Sequence, residues 1–571
     1  MFHDETSDVS NHSEAAVFAM FLHEGEFKEH YLGIMNMSEG QTAEKHYLAT
    51  LNLCNQKGLD LSKVQFSDLD GCNTNNGDLK GFKLYFLYHN PFHLHHTCNS
   101  HTLALIPKHK ITDSRYKCIA DADSIMVSLH VLLKKSTVRL NVFERCQIVL
   151  EMKVLKIVCP SSTRWLTHEF CFRRVLEVFE PVIMALAQLY QDRADVEALG
   201  VLIQMIDPQF VLSALMLADM LAVIRPLTLW LQTSPSKADI TDLSPAVDLV
   251  VNKLKYLASE SPELRSKFSE AELINLKFNE EVFSEKLRVI SEVVESLPIA
   301  SRLRTSSQQT TPGEMLEEFK INIYKPFIME IAEEIDANIR IDPVSAAFKC
   351  LDVKYFPSVK ADLSNYGLED MRRLIEHFGE AREESHPKTR RSNRSDPKID
   401  KHETLKEYEI YKMAGFDINC ERNKKLKQKL HSLQSKLKTT LTKTYNKSTI
   451  DKLKAEITEL ENKIDRMSLA EIFKALNVPG KKFQFLNVLD LLEMAVLCPV
   501  GNSTVERLFS FLKLVKTSLR NHLGDGTLDS LLRIKMECKE KLEDHDLEEL
   551  VDMFKNYLID LTKSGLIRID I

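Results

Sequence analysis

At 571 residues the chain is too long for one compact domain, and 44% hydrophobic with 27% charged residues reads as globular, with two or three domains expected. No stretch approaches the roughly 20 uninterrupted apolar residues of a membrane span, and eleven cysteines without a CxxC pair suit a reducing compartment, cytosolic or nuclear. The net charge of -7 argues against a generally basic nucleic-acid binder, but residues 421–450 hold nine Lys/Arg and one acid, so nucleic acid is not excluded.

The opening MFHDETS is a short extended run and matches neither a secretory nor a transit segment. AAVFAMFL (15–22) and EFKEHYLGIMNM (26–37), reversed by a few residues, read as an antiparallel pair. Helical spacing over 42–58 stops at Gly58, VQFSDLDG (64–71) is the next strand, a helix follows over about 79–88, and HLHHTC (93–98) is a fifth strand. This order of hairpin, helix, strand, helix, strand is the one expected of an RNase H-like core. After Cys98 the periodicity is almost wholly helical, and 301–314 and 383–398 lack it, reading as exposed linkers.

Leu426, Leu430, Leu433, Leu437 and Leu441 repeat at helical spacing, as do Ile450, Leu453, Ile457, Leu460, Ile464 and Met467. TKTYNKST interrupts the seam, which predicts an antiparallel helical hairpin over 421–467. Its apolar stripe either packs on the helical domain or leaves a basic face for DNA. Helices return over 483–497, 503–518, 527–541 and 545–562.

Four segments carry a family resemblance. They are DETSDVSNHSEAAVFAMF near the start, SDLDGCNTNNG with HHTCNSHTLAL, SSTRWLTHEF (161–170), and CPVGNSTVERLFSFLKLVKTSLRNHLGDGTLDSLLRIKM near the end. Their order and spacing resemble the hAT transposase superfamily, especially the zinc-finger-linked, transposon-derived proteins of vertebrates. The resemblance implies an α/β RNase H-like core with a five-stranded mixed sheet, interrupted by a large all-α insertion and completed by C-terminal helices. The corresponding division is 1–175 for the first part of the core, 176–470 for the insertion, and 471–571 for the C-terminal dimerisation region.

The resemblance assigns Asp4, Asp70 and Glu506 as a catalytic carboxylate triad holding Mg²⁺ or Mn²⁺. Two such ions about 3.5–4 Å apart activate the attacking oxygen and stabilise the leaving one in phosphoryl transfer. It places Arg164 and Trp165 on DNA, with the indole stacked on a flipped base, and gives Cys98 and His101 a supporting role beside Asp70. The same residues have plainer readings. Asp70-Gly71 is an ordinary turn, Ser503 and Glu506 form the S-x-x-E of a capping box, and Trp165 can anchor a helix in the core. Cys98, His101 and the histidines at 89, 93, 95 and 96 suggest zinc, but His93, His95 and His96 cannot all converge from one strand, and zinc is not expected.

The family carries an N-terminal zinc finger and DNA-binding segment, whereas this chain starts three residues before Asp4, so an N-terminal truncation is expected; DGCNTNNG also replaces a more apolar motif. The expected function is a nuclear, transposase-like protein that cleaves and transfers DNA strands and forms homo-oligomers through its C-terminal region, with no membrane association. The alternative is a non-enzymatic nuclear dimerisation protein derived from a transposase.

Overall fold

The computed structural model describes residues 1–7, 13–37, 40, 42–159, 166–233, 238–297, 311–443, 447–516 and 525–537. The strands β1 (Phe2–Ser7), β2 (Ser13–His23), β3 (Glu26–Asn36), β4 (Phe66–Leu69) and β5 (Leu94–Thr97) pair in the order β3-β2-β1-β4-β5. β1–β2 and β2–β3 are antiparallel, while β1–β4 and β4–β5 are parallel. The β2–β3 turn is Glu24-Gly25, both at positive φ (53° and 75°), the geometry a two-residue hairpin loop demands.

The expected fold class needs correction. About 70% of the described residues are helical, so an α/β class built on an RNase H-like core is not shown. The parallel half of the sheet is slight: β4 and β5 have four residues each, and β1 meets β4 at the single register pair Phe2↔Asp68. Motif order drew attention to the strands, whereas the main mass of buried side chains runs through the helices, from Phe66 to Val500 in one continuous core.

At the centre of that core lies the helix Pro208–Leu231. It is long and apolar enough to cross a membrane by length and composition, yet 78% of its apolar window is buried within the protein. Helices Asn99–Lys110, Lys117–Lys134, Leu166–Glu177 and Leu243–Ser259 pack around it. A helix apolar on every face needs cover on every face.

Strand alternation sends the side chains of β2 to two separate layers. Ala15 and Val17 pack with Leu32 and Met35 beneath helix Ala43–Gln56, while Ala16 and Phe18 pack with Tyr31 against Leu508, Leu512 and Leu528. The second layer comes from helices Ser503–Val515 and Asp525–Glu537. Tyr31 donates its hydroxyl to Asp529 at 2.9 Å, and the Arg533 guanidinium donates to the carbonyls of Tyr31 and Leu32 at 3.1 and 3.2 Å. A nearly fully buried ion pair, Lys516–Glu14, ties the end of the first of these helices to the start of β2.

Residues 383–398 are not a bare linker. Arg382–Ser385 and Ser392–Ser395 form a two-stranded antiparallel hairpin, held by Asn393 donating to the carbonyls of Tyr88 and His89. Alternation there is among polar residues, which hides the strands from a hydrophobic pattern. Most of 301–314 and all of 545–562 lie outside the described residues.

The helical hairpin is longer than its apolar seam. Its first helix runs over 43 residues, Lys401–Lys443, because Tyr408 and Tyr411 root it in the main core. Its second, Lys447–Lys463, is antiparallel: Arg422 donates to the Lys463 carbonyl at 2.9 Å, and Lys429 lies 3.5 Å from Glu456. Leu433, Ile457 and Leu460 form a small separate core with Leu426, Leu430, Leu437 and Leu453. Changing Leu433 to Asp removes at least the packing lost in a Leu→Ala change, about 2–5 kcal/mol, and adds a buried carboxylate. Amide hydrogen exchange is expected to accelerate over 426–460 while protection of Pro208–Leu231 is unchanged; equal protection in variant and parent would contradict a buried seam.

Candidate functional site

Asp70 follows directly on β4 and opens a tight loop. Its Oδ1 accepts from the Cys72 backbone N–H at 3.2 Å and from Asn75 Nδ2 at 2.6 Å. Burial opposes ionisation of this carboxyl, but the hydrogen bonds from Cys72 and Asn75, aided by the nearby His101, hold its pKa below the usual carboxylate value. The loop closes because Gly81 has no side chain: a Cβ there would stand 2.4 Å from the Gly77 carbonyl oxygen. Phe82 N–H then reaches the Thr74 carbonyl at 2.9 Å.

Cys98 is buried, and its backbone N–H donates to the Leu69 carbonyl at 2.7 Å, joining the end of β4 to the start of helix Asn99–Lys110. His101 is exposed on the first turn of that helix. Asn99 Nδ2 donates to the Val500 carbonyl at 3.2 Å, so the segment before helix Ser503–Val515 is seated on the same helix start. That helix, which carries Glu506, packs against β1, which carries Asp4, and against β2. Asp4 pairs in register with Ala16; Asp4 and Asp70 each lie two residues beyond the β1–β4 pair Phe2↔Asp68.

The backbone thus gathers the three elements that carry the carboxylates. The side chains of Asp4 and Glu506 lie outside the described residues, as do Arg164 and Trp165. The capping-box reading of Ser503 and Glu506 is displaced. Asn502 occupies the cap position, Ser503 is the first helical residue, and its hydroxyl donates to the Thr233 carbonyl at 3.0 Å.

The histidines divide between two faces of β5. Ser67 Oγ lies 2.8 Å from His93 Nε2 and 2.9 Å from His95 Nδ1, and His95 Nε2 meets Asn76 Oδ1 at 2.5 Å. His96 points the other way, to Ser345 Oγ at 3.2 Å and Cys498 Sγ at 3.6 Å. Among the described residues, no group of three or more His, Cys, Asp or Glu is placed to hold a metal ion. Asp70 suits a hard cation in its donor chemistry: it is a carboxylate oxygen ligand that the hydrogen bonds from Cys72 and Asn75 keep ionised.

A cavity of about 480 Å³ opens beside helix Ser503–Val515, among helices Leu166–Glu177 and Pro208–Leu231. Glu169, Phe170, Arg225, Gln232, Ser503 and Arg507 line it. Glu169 is almost fully buried, 2.7 Å from Arg173 and 3.9 Å from Arg225, whereas the Arg225 and Arg507 side chains are more than half exposed. Sequence reasoning missed Asn75, Arg225 and Arg507. The asparagines of DGCNTNNG were a visible signal for the first; the arginines come to one cavity only in the folded chain.

No family model matches the chain, and the search of curated proteins found no match.

Burial holds the imidazoles of His93 and His95 at a pKa of about 3, far below the ordinary 6.5. The unfolded chain therefore takes up protons near pH 6.5 that the folded one refuses. Their contribution is full above that pH and is lost as pH falls toward about 3, by about 1.4 kcal/mol per pH unit per histidine. Urea midpoints measured from pH 7 to pH 4 are expected to fall, and His95→Gln to flatten the slope by one proton. An identical slope in parent and variant would contradict the buried, neutral His95.

Proposed function

We propose that the chain is a transposase-like protein of hAT type that binds DNA and cleaves and joins its strands with Mg²⁺ or Mn²⁺, acting in the nucleus. The observation that carries this reading is the adjacency of β1, the Asp70 loop and helix Ser503–Val515, the elements bearing Asp4, Asp70 and Glu506. The order of the four motifs that resemble the hAT superfamily supports it from the sequence side.

The bound cation supplies Lewis-acid stabilisation of charge on the attacked phosphate. Within the protein, Cys72 and Asn75 keep Asp70 ionised and fixed in direction, and Cys98 holds the β4 end against the helix that presents His101. Arg225 and Arg507, at the mouth of the neighbouring cavity, offer guanidinium donors to the phosphates of a strand held there. Arg164 and Trp165 are assigned to the same strand by the motif alone.

A homo-oligomer through the C-terminal region is part of this reading. Leu514 is 75% and Ile534 58% exposed on the two helices that cover the sheet, so apolar surface remains there for a second copy. The same exposure favours the alternative of a dimerisation protein without catalysis.

Mg²⁺ or Mn²⁺ is expected to raise the melting temperature of the full chain, since binding at 100 times Kd stabilises by about 2.7 kcal/mol. Asp70→Asn, which keeps shape and removes charge, should abolish most of that shift. Nicked or branched DNA should be cut in a metal-dependent way by the parent and not by the variant. A shift unchanged in Asp70→Asn would mean that the metal binds elsewhere; a lost shift without cleavage in the parent would favour the dimerisation reading.

A further inference from the structure

The helical hairpin is a solvated arm. Its apolar seam closes on itself, in a core separate from that of the body, and every described lysine on its first helix beyond Arg422 is exposed. From Arg422 to Lys443 the sequence has eight Lys/Arg and no acidic residue. The whole hairpin, 421–463, has twelve Lys/Arg against five Asp/Glu, a net +7 on a protein whose total is -7.

The base of the arm is fixed rather than hinged. Arg422 makes two bonds to Glu471 at 3.1 and 3.0 Å, and Asn423 and Asp465 exchange hydrogen bonds at 2.8 and 3.1 Å. Some charge is met locally: Lys425 by Glu421 at 2.8 Å, Lys429 by Glu456 at 3.5 Å, Lys427 by Asp465 at 3.9 Å. These pairs are exposed and weak, and water-screened lysines exchange such partners readily.

We infer that this arm, Arg422–Lys443 braced by Lys447–Lys463, lies along the phosphate backbone of duplex DNA as a binding surface separate from the carboxylate site. The stretch from Arg422 to Lys443 is about 33 Å long at about 1.5 Å per residue, close to one helical turn of B-DNA, about 34 Å. Lysines are point charges suited to phosphates, and Gln428, Ser432 and Gln434 add hydrogen-bonding groups between them. The helix between Asp417 and Lys443 has no Phe, Tyr or Trp, so the series of aromatic platforms on which single strands stack is not present there. The inference takes only its choice of polymer, DNA, from the proposed function and needs no catalysis.

The test compares the full-length parent with a variant carrying Lys424→Gln, Lys427→Gln, Lys436→Gln and Lys438→Gln. Glutamine nearly equals lysine in helix propensity, so the circular-dichroism melt should be unchanged. Binding of a fluorescent 20-base-pair duplex is followed over a range of salt concentrations. Each phosphate contact removed lowers the log K–log salt slope by about 0.9, so the variant's slope should be shallower by about 2 to 4, with affinity at least about tenfold weaker near 0.1 M salt. Parent-like affinity and slope in the variant would overturn the inference. So would tighter binding of a single strand of equal length, or polyglutamate binding as tightly as the duplex at equal charge concentration, which would mark an acidic protein as the partner. Asp70→Asn should keep the parent slope, so failure of the carboxylate site and failure of the arm give different results.

Discussion

The fold rests on the need to cover one helix. Pro208–Leu231 buries residues on all its faces, and here a shell of other helices supplies the cover. The C-terminal end of this helix is also where the candidate site is anchored. Ser503 donates to the Thr233 carbonyl, and Gly501 comes so close to the Leu231 carbonyl that a Cβ would stand 3.0 Å from it. The most buried element of the helical body thus sets the position of the helix that carries Glu506, and through it the docking of that helix on β1 and β2.

On the sheet side, the constraint is alternation. Residues 15 and 17 of β2 go to one layer and residues 16 and 18 to the other, so a slip of one residue would expose both sets. The Lys516–Glu14 ion pair, deep between β2 and the end of helix Ser503–Val515, resists such a slip, because moving either partner would leave a charge buried alone. A neutral, hydrogen-bonded network of Ser67, His93, His95 and Asn76 fills the space beside the Asp70 loop. Its histidines stay uncharged near neutral pH, because burial opposes their protonation.

The arm formed by the helical hairpin follows a different logic. Its seam satisfies itself, so its outer faces are free to be charged, and the charge is concentrated on the first helix. A protein acidic overall can therefore present one basic rod without a basic body.

Much of the local structure was legible in the residues: the β2–β3 hairpin from its apolar runs around Glu24-Gly25, the leucine seam of the arm, and Asp70 at a strand end before a glycine. These depend on near neighbours in the chain, where periodicity and turn chemistry act. The fold class was not legible, because motif order said nothing of how much core lies among helices. The polar strands at 382–385 and 392–395 were hidden, since their pattern carries no apolar alternation. The seating of Val500 on Asn99, the Ser503 hydroxyl on Thr233, and the cavity lined by both Arg225 and Arg507 join residues hundreds of positions apart. Sequence by itself determined most of the helices, the apolar strands and the charged arm, and which residue types could hold a hard cation. Tertiary structure alone decided which of those segments are neighbours, because long-range packing depends on the shapes of whole buried faces and not on any local spacing.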